Sequence, residues 1–322
     1  MQVASEAASI IVKNYVSSLD LKINPLGNKG IIALSDGISK SKSLIHLDLR
    51  STAFGKEGAN YLFKALTKNQ TVNCLSIGNF KGLHSNFMSG KSMCGIEDYL
   101  KKSLQITFLD LKGAGIGNDG LTYLLAGVKH SRSIKDVNLC LNNIGGSGSL
   151  IAVDLILKTY VKRINLSENP LGRQFVEEFY KRSQDQEFYM THLSLSSCGF
   201  NSPGLNELFA ALRKGVYLSH LKLDTVRYTD FEIKYLGWFI ANCSTLKLLS
   251  TANCMLADEG IRMVAEGFVG SAKLESINLA HNKITSLGLQ SILNKLVEKY
   301  GAYLKYIDLS QNFIDVFILS NV

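Results

Sequence analysis

The stretch LESINLAHNKITSLGL, residues 274–289, decides the fold of this chain. Leu274 and Ile277 begin an alternation of apolar and polar residues that predicts a short strand with one buried face. Asn282 then turns the chain, and Gly288 opens a segment whose apolar spacing predicts a helix. One strand and one helix therefore form a unit that the chain can repeat.

The same pattern recurs along the whole sequence. In each copy an apolar anchor is followed by apolar residues at plus three, plus five and plus ten, and often by a small polar residue at plus eight. A period of about 28 residues is typical of a solenoid, in which function uses extended surfaces instead of a single pocket. The anchors are Val16, Leu44, Val72, Ile106, Ile134, Val161, Met190, Leu218, Leu246, Leu274 and Leu304.

The repeat predicts both the fold class and the domain organisation. Successive strands joined by helical crossovers must lie parallel, so we expect an α/β solenoid of about eleven βα repeats, with the sheet on the concave face and the helices on the convex face. Residues 1–15 are expected to form an N-terminal helix or partial repeat, and residues 16–322 the repeat array. The third coil is six residues longer than most, which predicts an insertion at residues 81–93.

Asparagine and glycine recur at fixed positions of the coil. The plus-eight residue is asparagine in five copies, beginning with Asn24. A buried side-chain amide both donates and accepts hydrogen bonds, so we expect these asparagines to bond the backbone of their own coil and of the next. Glycine at plus fourteen, as in Gly30, lies where a loop enters a helix and permits close packing.

These motifs resemble the leucine-rich repeats of the ribonuclease-inhibitor type. The resemblance is carried by LDLKINPLGNKGIIAL (residues 19–34), by INLAHNKITSLGL (residues 277–289) and by the repeat that covers almost the whole chain. It implies a curved βα horseshoe used for protein recognition. Members of this class include ribonuclease inhibitors, nucleotide-binding immune receptors, Ran GTPase-activating proteins, actin-regulating linkers and ciliary scaffold proteins, so the class alone does not identify a partner.

Composition narrows the classes of partner. Lysine and arginine number 35 against 27 aspartate and glutamate residues, a net charge of +8 that favours an acidic partner. Nucleic acid is not expected, because aromatic residues do not interleave with the cations as a base-stacking groove requires. The six cysteines lack paired spacing, and residues 1–15 resemble neither a signal peptide nor a membrane span. We therefore expect a cytoplasmic protein, with a cytoskeletal or ciliary assembly as the narrower hypothesis.

Side chains at plus two, plus four and plus six should face outward from the concave side of the sheet. Asp20 and Asp48 are expected to be lateral neighbours, a like-charge pair that Lys22, Arg50 or a protein partner must offset. A self-neutralised, solvated face is the alternative. The candidate protein-binding residues on this face are Asp20, Lys22, His46, Asp48, Arg50, Phe108, Asp110, Lys112, Arg163, His192, His220 and Tyr306.

The insertion supplies a second candidate contact. Residues 85–92, SNFMSGKS, nearly match a phosphate-binding loop, but Ser85 replaces the first glycine, so a nucleotide site is not predicted. We expect a bulge at one edge of the coil instead. An exposed Phe87, Met88 and Met93 would provide protein contacts there, unless they fold back onto the coil.

Catalytic and metal sites are not predicted. His192 and His220 should be neighbours on adjacent strands, but two histidines without a nearby cysteine, beside Arg163, give too few ligands for zinc. A catalytic triad, a paired-carboxylate pocket and a cysteine–histidine nucleophile are all missing at suitable spacing. We expect no cofactor.

The leading hypothesis is a non-enzymatic scaffold that binds protein partners within a larger complex. The alternative is a regulator of a small GTPase similar to Ran GTPase-activating proteins, and an immune sensor ranks third. The last coil is followed by DVFILSNV, residues 315–322, with neither a helix nor a polar capping repeat. We expect a partner, a missing segment or this tail to cover that end.

Overall fold

The computed structural model describes residues 2–200, 204–298 and 303–315. It divides into two compact units, Met1–Pro170 and Leu171–Val322. Strands and helices alternate within each unit. One expected cover of the last coil is the tail at its end, and residues 316–322 of that tail lie outside the described residues.

The first unit contains α1 and then a series of strand–helix coils. A 3₁₀ helix, Gly90–Met93, precedes the helix of the third coil. The elements are α1 (Gln2–Val12), β1 (Ser18–Asp20), α2 (Gly27–Lys40), β2 (His46–Asp48), α3 (Lys56–Lys68), β3 (Cys74–Ser76), α4 (Cys94–Lys102), β4 (Phe108–Asp110), α5 (Gly117–Val128), β5 (Asp136–Asn138), α6 (Ser147–Leu157) and β6 (Arg163–Asn165).

The second unit begins with a helix and ends with a strand in the described residues. Its elements are α7 (Gly172–Ser183), β7 (His192–Ser194), α8 (Leu205–Leu212), β8 (His220–Lys222), α9 (Asp230–Asn242), β9 (Leu248–Ser250), α10 (Asp258–Gly270), β10 (Ser276–Asn278), α11 (Ser286–Glu298) and β11 (Tyr306–Asp308).

Within each unit, consecutive strands pair in parallel and in one register. In the first unit Leu47 lies between Leu19 and Leu75, and in the second unit Leu249 lies between Leu221 and Ile277. The helix between two strands returns the chain to the same sheet edge, as the repeat predicted. The predicted βα solenoid is confirmed.

The core of each coil lies between its strand and its helix. The middle residue of most strands is buried, as are the inward residues of the helices; Leu47 is 2% exposed and Leu34 and Leu62 are fully buried. Helix α1 covers α2 in the same way: a Cβ added to Gly37 would lie 2.6 Å from the carbonyl oxygen of Ala8. This close approach requires a glycine at position 37.

The turn after each strand contains a left-handed residue at plus seven. In the described residues, every coil except the third has a positive φ there, including β-branched Ile23 (φ 65°) and Thr225 (φ 63°). Such a conformation is strained for a β-branched residue. The turn is therefore imposed by the stacking of coils and not by local residue preference.

The plus-eight asparagines hold these turns together. In the first unit, Asn169 donates from Nδ2 to the carbonyl oxygens of Leu139 (2.9 Å) and Leu166 (2.8 Å), and its Oδ1 accepts from the backbone N–H groups of Asn142 (2.9 Å) and Ile144 (3.0 Å). Leu166 belongs to the same coil, and the other three residues belong to the preceding coil. The structural role is as predicted, but the expected bonding to the next coil is wrong, because the turn of the preceding coil presents the free backbone groups.

In the third coil Asn86 takes the place of the missing plus-eight asparagine. It is fully buried, and its amide makes the same kinds of bond to its own and the preceding coil. The extra six residues are therefore 80–85, and residues 86–93 already belong to the regular coil. Asn86 accepts from the N–H groups of Thr52 (3.0 Å) and Phe54 (3.3 Å) and the hydroxyl of Thr52 (3.2 Å), and donates to the carbonyls of Leu49 (2.8 Å), Ile77 (3.1 Å) and Gly78 (3.3 Å).

Candidate protein-binding site

The first unit carries a set of charged side chains on the outer side of its strands. We call this set the charged strand face; its members are Asp20, Lys22, Asp48, Arg50, Asp110 and Lys112. The aspartates lie at the ends of β1, β2 and β4, and the cations lie two residues later, where each turn begins.

The plus-four aspartates have a structural role in addition to their charge. Asp20, Asp48 and Asp110 each accept a hydrogen bond from the backbone N–H two residues later, at 3.0 to 3.1 Å. Asn138 and Asn165 make the same bond in later coils, to Cys140 and Ser167. In these coils the plus-four side chain therefore helps to fix the turn, although the equivalent residue of β8 is Lys222, which cannot accept a hydrogen bond. The cations at plus six are not explained by this bond.

Asp20 lies directly opposite Asp48 in the register of β1 and β2, so the predicted adjacency is confirmed. Lys22 Nζ binds Asp20 Oδ2 at 2.6 Å, and this hydrogen bond lowers the pKa of Asp20 below its ordinary value. Each aspartate is thus offset by a cation from its own coil, and the like-charge pair is neutralised locally.

Arg50 is the most strongly held side chain of the charged strand face. Its Nε and Nη2 donate to the two carboxylate oxygens of Asp48 at 3.0 and 2.6 Å, a bidentate geometry that fixes the guanidinium plane. Its Nη1 lies 3.7 Å from Asp110 Oδ2, two strands away across the small Ser76. The Phe80 ring contacts Arg50 with its centroid 4.8 Å from Cζ, in a cation–π arrangement.

Asp110 corrects one expectation about this face. It was predicted to be an outward contact residue, but it is only 6% exposed. Burial raises its pKa above the ordinary aspartate value, although the N–H of Lys112 and the charge of Arg50 act in the opposite direction. Asp110 therefore interacts with the Arg50 guanidinium from a buried position, and its own side chain is not available for contact with a partner.

The insertion loop, residues 80–85, is anchored at its base beside Arg50. The side-chain amide of Asn79 donates to the carbonyl oxygen of Asn86 (2.8 Å) and accepts from its N–H (2.7 Å), which closes the loop. The N–H of Phe80 donates to Ser51 Oγ at 2.8 Å. The loop therefore projects from the turn side of β3 as a closed element next to the charged strand face.

The predicted contact residues of the insertion differ in how exposed they are. Residues 81–85 are exposed, Leu83 to 41%, and Phe87 is 59% exposed, as expected. Met88 and Met93, by contrast, are fully buried. Their predicted exposure is wrong because residues 86–93 resume the repeat, so that Met88 fills the apolar plus-ten position of the coil. Within the stretch 85–92, the side chains of Asn86, Met88 and Ser92 are buried in the coil.

The remaining candidates of the first unit flank this site. His46 is exposed, and Phe108, in β4, is half-buried. Arg163, in β6, is paired through Nε with Asp136 Oδ2 of β5 at 2.7 Å.

The candidates of the second unit form a separate group. His192 and His220 are directly opposite in the register of β7 and β8, as predicted, with their rings stacked at a centroid distance of 3.9 Å. Each Nδ1 is hydrogen-bonded to the hydroxyl of the preceding residue, Thr191 or Ser219, at 2.9 Å. Tyr306, in β11, is 61% exposed.

The described residues can be assessed for metal ligation and for thiol reactivity. Within residues 2–200, 204–298 and 303–315, there is no cluster of three histidine, cysteine or acidic side chains able to hold a metal. Burial raises the pKa of the Cys140 and Cys254 thiols to about 12, which keeps them protonated and unreactive. None of the helices in the described part of the chain has the length and apolar character that a membrane crossing requires.

The sequence pattern missed three residues that build this site: Asn79, Phe80 and Asn86. One signal was available. Phe80 is the only aromatic residue among the plus-eight positions counted from the anchors, which marks a shift of register, and the Asn-x-apolar pattern reappears at Asn86 and Met88.

Comparisons with known proteins agree with this geometry. A family model described as "Leucine Rich repeat" matches residues 12–35, 105–125 and 270–293. Similar curated proteins include "NACHT, LRR and PYD domains-containing protein 3" of Rattus norvegicus, 24% identical over 88% of this chain and 27% of that protein. Protein 9B of the same name series in Mus musculus is 26% identical over 79% of this chain and 25% of its own length. The chain thus spans about a quarter of the length of the curated relatives it matches.

Solved structures are similar in fold. The leucine-rich repeat-containing protein LegL7 from Legionella pneumophila has a TM-score of 0.55 at 17% identity, covering 92% of this chain and 95% of that chain. A TLR13–ssRNA13 complex has a TM-score of 0.50 at 15% identity, covering 86% of this chain and 34% of that one. The repeat pattern, the parallel βα coils, the matched segments and this likeness of fold together identify the chain as a leucine-rich repeat protein.

Proposed function

We propose that this chain is a non-catalytic protein-binding module, and that a protein partner docks on the charged strand face beside the insertion loop. Leucine-rich repeat arrays present extended surfaces suited to protein–protein interaction. The observation that carries the proposal is Arg50, which is held by Asp48, Asp110 and Phe80 and still keeps 28% of its side chain exposed. Arginine fixed in this way loses little entropy on binding and is a typical centre of an interface.

The surroundings of Arg50 match an interface more closely than an ordinary solvated face. A flexible surface ion pair contributes little to stability and needs no aromatic cover. Here Phe80 is kept at the guanidinium by the closed base of the insertion loop. Leu83 is exposed beside it, with its N–H donating to the Phe80 carbonyl oxygen at 3.4 Å. The partner would place a carboxylate near Arg50 and an apolar side chain against Leu83.

The proposal is tested by photo-crosslinking in native extract. The full chain would carry a photoreactive phenylalanine analogue at Leu83, and a second version would carry it at Leu104, which is 77% exposed in the connection between α4 and β4. We expect a discrete protein product from position 83 and none of the same protein from position 104. The same product from position 104 alone would contradict the proposal.

The Arg50→Glu substitution provides the second arm of this experiment. We expect it to lower the yield of the Leu83 product at least about tenfold, since truncating or reversing a central charge is costly at an interface. Circular dichroism would verify folding. Should Arg50→Glu fail to fold, Leu83→Asp at the exposed loop replaces it in a competition assay. Undiminished binding by a folded variant would rule out this surface.

Within this proposal, the chain belongs to the ribonuclease-inhibitor-like subclass and works in the cytoplasm as a subunit of a larger complex. A cytoskeletal or ciliary assembly is the narrower form of this hypothesis. The similarity to the NACHT, LRR and PYD proteins places the chain against a quarter of their length, and we propose that it corresponds to the part that their name calls LRR. The alternative of a small-GTPase regulator is distinguished by a GTP hydrolysis assay with candidate small GTPases. Stimulation by several orders of magnitude would overturn the scaffold function.

A further inference from the structure

Helix α9 of the second unit has an apolar ridge on its outer side. Phe231, Tyr235 and Trp238 are spaced four and three residues apart, so they share one side of the helix. Their rings are continuous, with centroids 5.0 Å apart between Phe231 and Tyr235 and 6.3 Å apart between Tyr235 and Trp238. Phe231 is 59% exposed and Trp238 is 40% exposed.

This ridge is not needed by the core. The opposite side of α9 already fills the coil with fully buried residues such as Leu236 and Phe239. A helix that is apolar on both sides is normally buried on both sides, and Trp238 is the only tryptophan of the chain. Exposed tryptophan and tyrosine on a rigid element are typical of interfaces, not of solvated surfaces.

A groove adjoins the ridge where α9 meets α10. The two helices are unusually close, because a Cβ on Gly267 would lie 2.3 Å from the carbonyl oxygen of Gly237. The missing side chains leave a depression of about 390 Å³ beside Trp238 and Ala241. That volume suits one or two large apolar side chains of a partner and is at the lower limit for a small-molecule ligand.

The charges around the ridge indicate the sign of the charge that a partner should carry. The guanidinium of Arg213 lies over the Trp238 ring, with Cζ 5.3 Å from its centroid. Lys234 also lines the groove. Neither cation forms an ion pair with any residue that the structure describes. Glu266 is the acidic residue of α10 that lines the same groove, and it is already paired with Lys295 at 3.2 Å.

The start of α9 is fixed, so the ridge is preorganised. Glu232 is buried and accepts hydrogen bonds from the N–H and the hydroxyl of Thr229, both at 2.8 Å, in a capping box. A rigid aromatic ridge binds at a lower entropic cost than a flexible one.

We propose that the α9 ridge and groove form a second docking surface, which binds an acidic amphipathic segment of a protein partner. An apolar side chain of that segment enters the groove beside Trp238, and its carboxylates contact Arg213 and Lys234. The inference is independent of the surface assigned to the charged strand face, which lies in the other unit.

The single tryptophan allows a direct test with the full chain. A short synthetic amphipathic peptide with leucines on one side and glutamates on the other, free of aromatic residues, would be titrated while Trp238 fluorescence is recorded. We expect a saturable shift of the emission. A peptide with lysines in place of the glutamates should give no shift, and a peptide with serines in place of the leucines should give at most a weak one.

Two variants at exposed positions complete the experiment. We expect Lys234→Glu to weaken binding of the acidic peptide about tenfold, and Tyr61→Ala, at an exposed tyrosine of α3 in the first unit, to leave it unchanged. An equal response to the lysine peptide, or full affinity of Lys234→Glu, would overturn the proposal. Self-association of the chain that is lost in Trp238→Ala would overturn it too, since the occupant would then be a second copy.

Discussion

At the scale of single residues, the polar side chains of the turns are mostly structural and only a few are left for binding. Asp20 and Asn138 occupy equivalent positions and accept the same backbone hydrogen bond. Their difference in charge therefore does not affect the turn, and it is the cation two residues later, as at Arg50, that distinguishes the first unit.

Asn86 gives the first prediction at this scale. Replacing it with alanine removes an amide that satisfies several buried backbone groups, so we expect Asn86→Ala to lower the free energy of unfolding by about 3 kcal/mol. Urea denaturation measures this change. Asn24→Ala is the control, since Asn24 is the equivalent residue of the first coil but is exposed, and it should cost less than about 1 kcal/mol. Equal losses for both variants would mean that Asn86 does not fill the structural role of the plus-eight asparagine in the third coil.

Thr225 gives a stabilising prediction. Its φ of 63° is unfavourable for a β-branched residue and suits asparagine better, so Thr225→Asn should raise the free energy of unfolding by about 1 kcal/mol. Asn253, at the same position of the next coil with a φ of 54°, provides the comparison: Asn253→Thr should lower stability by a similar amount. A loss of stability in Thr225→Asn together with a gain in Asn253→Thr would show that the left-handed turn is not strained.

His220 makes the stability of the second unit dependent on pH. Partial burial and the charges of Lys247 and Lys222 lower the pKa of His220 below its ordinary value. The folded state then holds fewer protons than the unfolded state, so this contribution to stability is present above about pH 6.5 and is lost as the pH falls. We expect His220→Asn to lose less stability than the wild type between about pH 7.5 and about pH 5.5. Thermal unfolding at both pH values, with exposed His84→Asn as control, measures the difference; identical pH dependence of His220→Asn and the wild type would argue against it.

At the scale of secondary-structure elements, glycines decide how closely neighbouring helices pack. Helices α9 and α10 meet at Gly237 and Gly267, where the backbone of one helix touches that of the other. Gly37 allows α1 to lie on α2 in the same manner. Close backbone approach buries surface without side chains, so such contacts tolerate no added methyl group.

A substitution at Gly267 tests this packing. The added Cβ of Gly267→Ala would lie 2.3 Å from the carbonyl oxygen of Gly237, so the helices must separate, and we expect a loss of about 2 kcal/mol. In the same helix, the Cβ of Gly260→Ala would meet only the end of the Ile233 side chain, at 3.1 Å, and the gain in helix propensity should offset that contact. Equal effects of the two substitutions, measured by chemical denaturation, would contradict the structural explanation.

At the scale of the whole molecule, the sequence pattern predicts the coils well and the contacts between coils poorly. The strands follow the anchors closely, because burial of a plus-three and a plus-five residue repeats with the period of the coil. Asp20, Asp48, His192 and His220 are therefore at the predicted register positions. The position of a residue along its strand depends on spacing within one coil, so the repeat pattern predicts it.

Contacts across coils are not visible in a single repeat. The extra residues 80–85 shift the register, so counting from Val72 assigns the plus-eight position to Phe80 and not to Asn86. The same count places Met88 and Met93 in a bulge. Asp110 is buried, and Arg50 reaches it from two strands away. Neither fact follows from the spacing within one coil, because both are set by stacking.

The central claim is that a protein partner binds the charged strand face beside the insertion loop. Hydrogen–deuterium exchange of the full chain, with and without the protein captured through Leu83, tests it most directly. We predict slower exchange in residues 46–50 and 78–87 on binding, and unchanged exchange in α3 and α4. Protection confined to the helices of the first unit, or to the second unit alone, would contradict the claim.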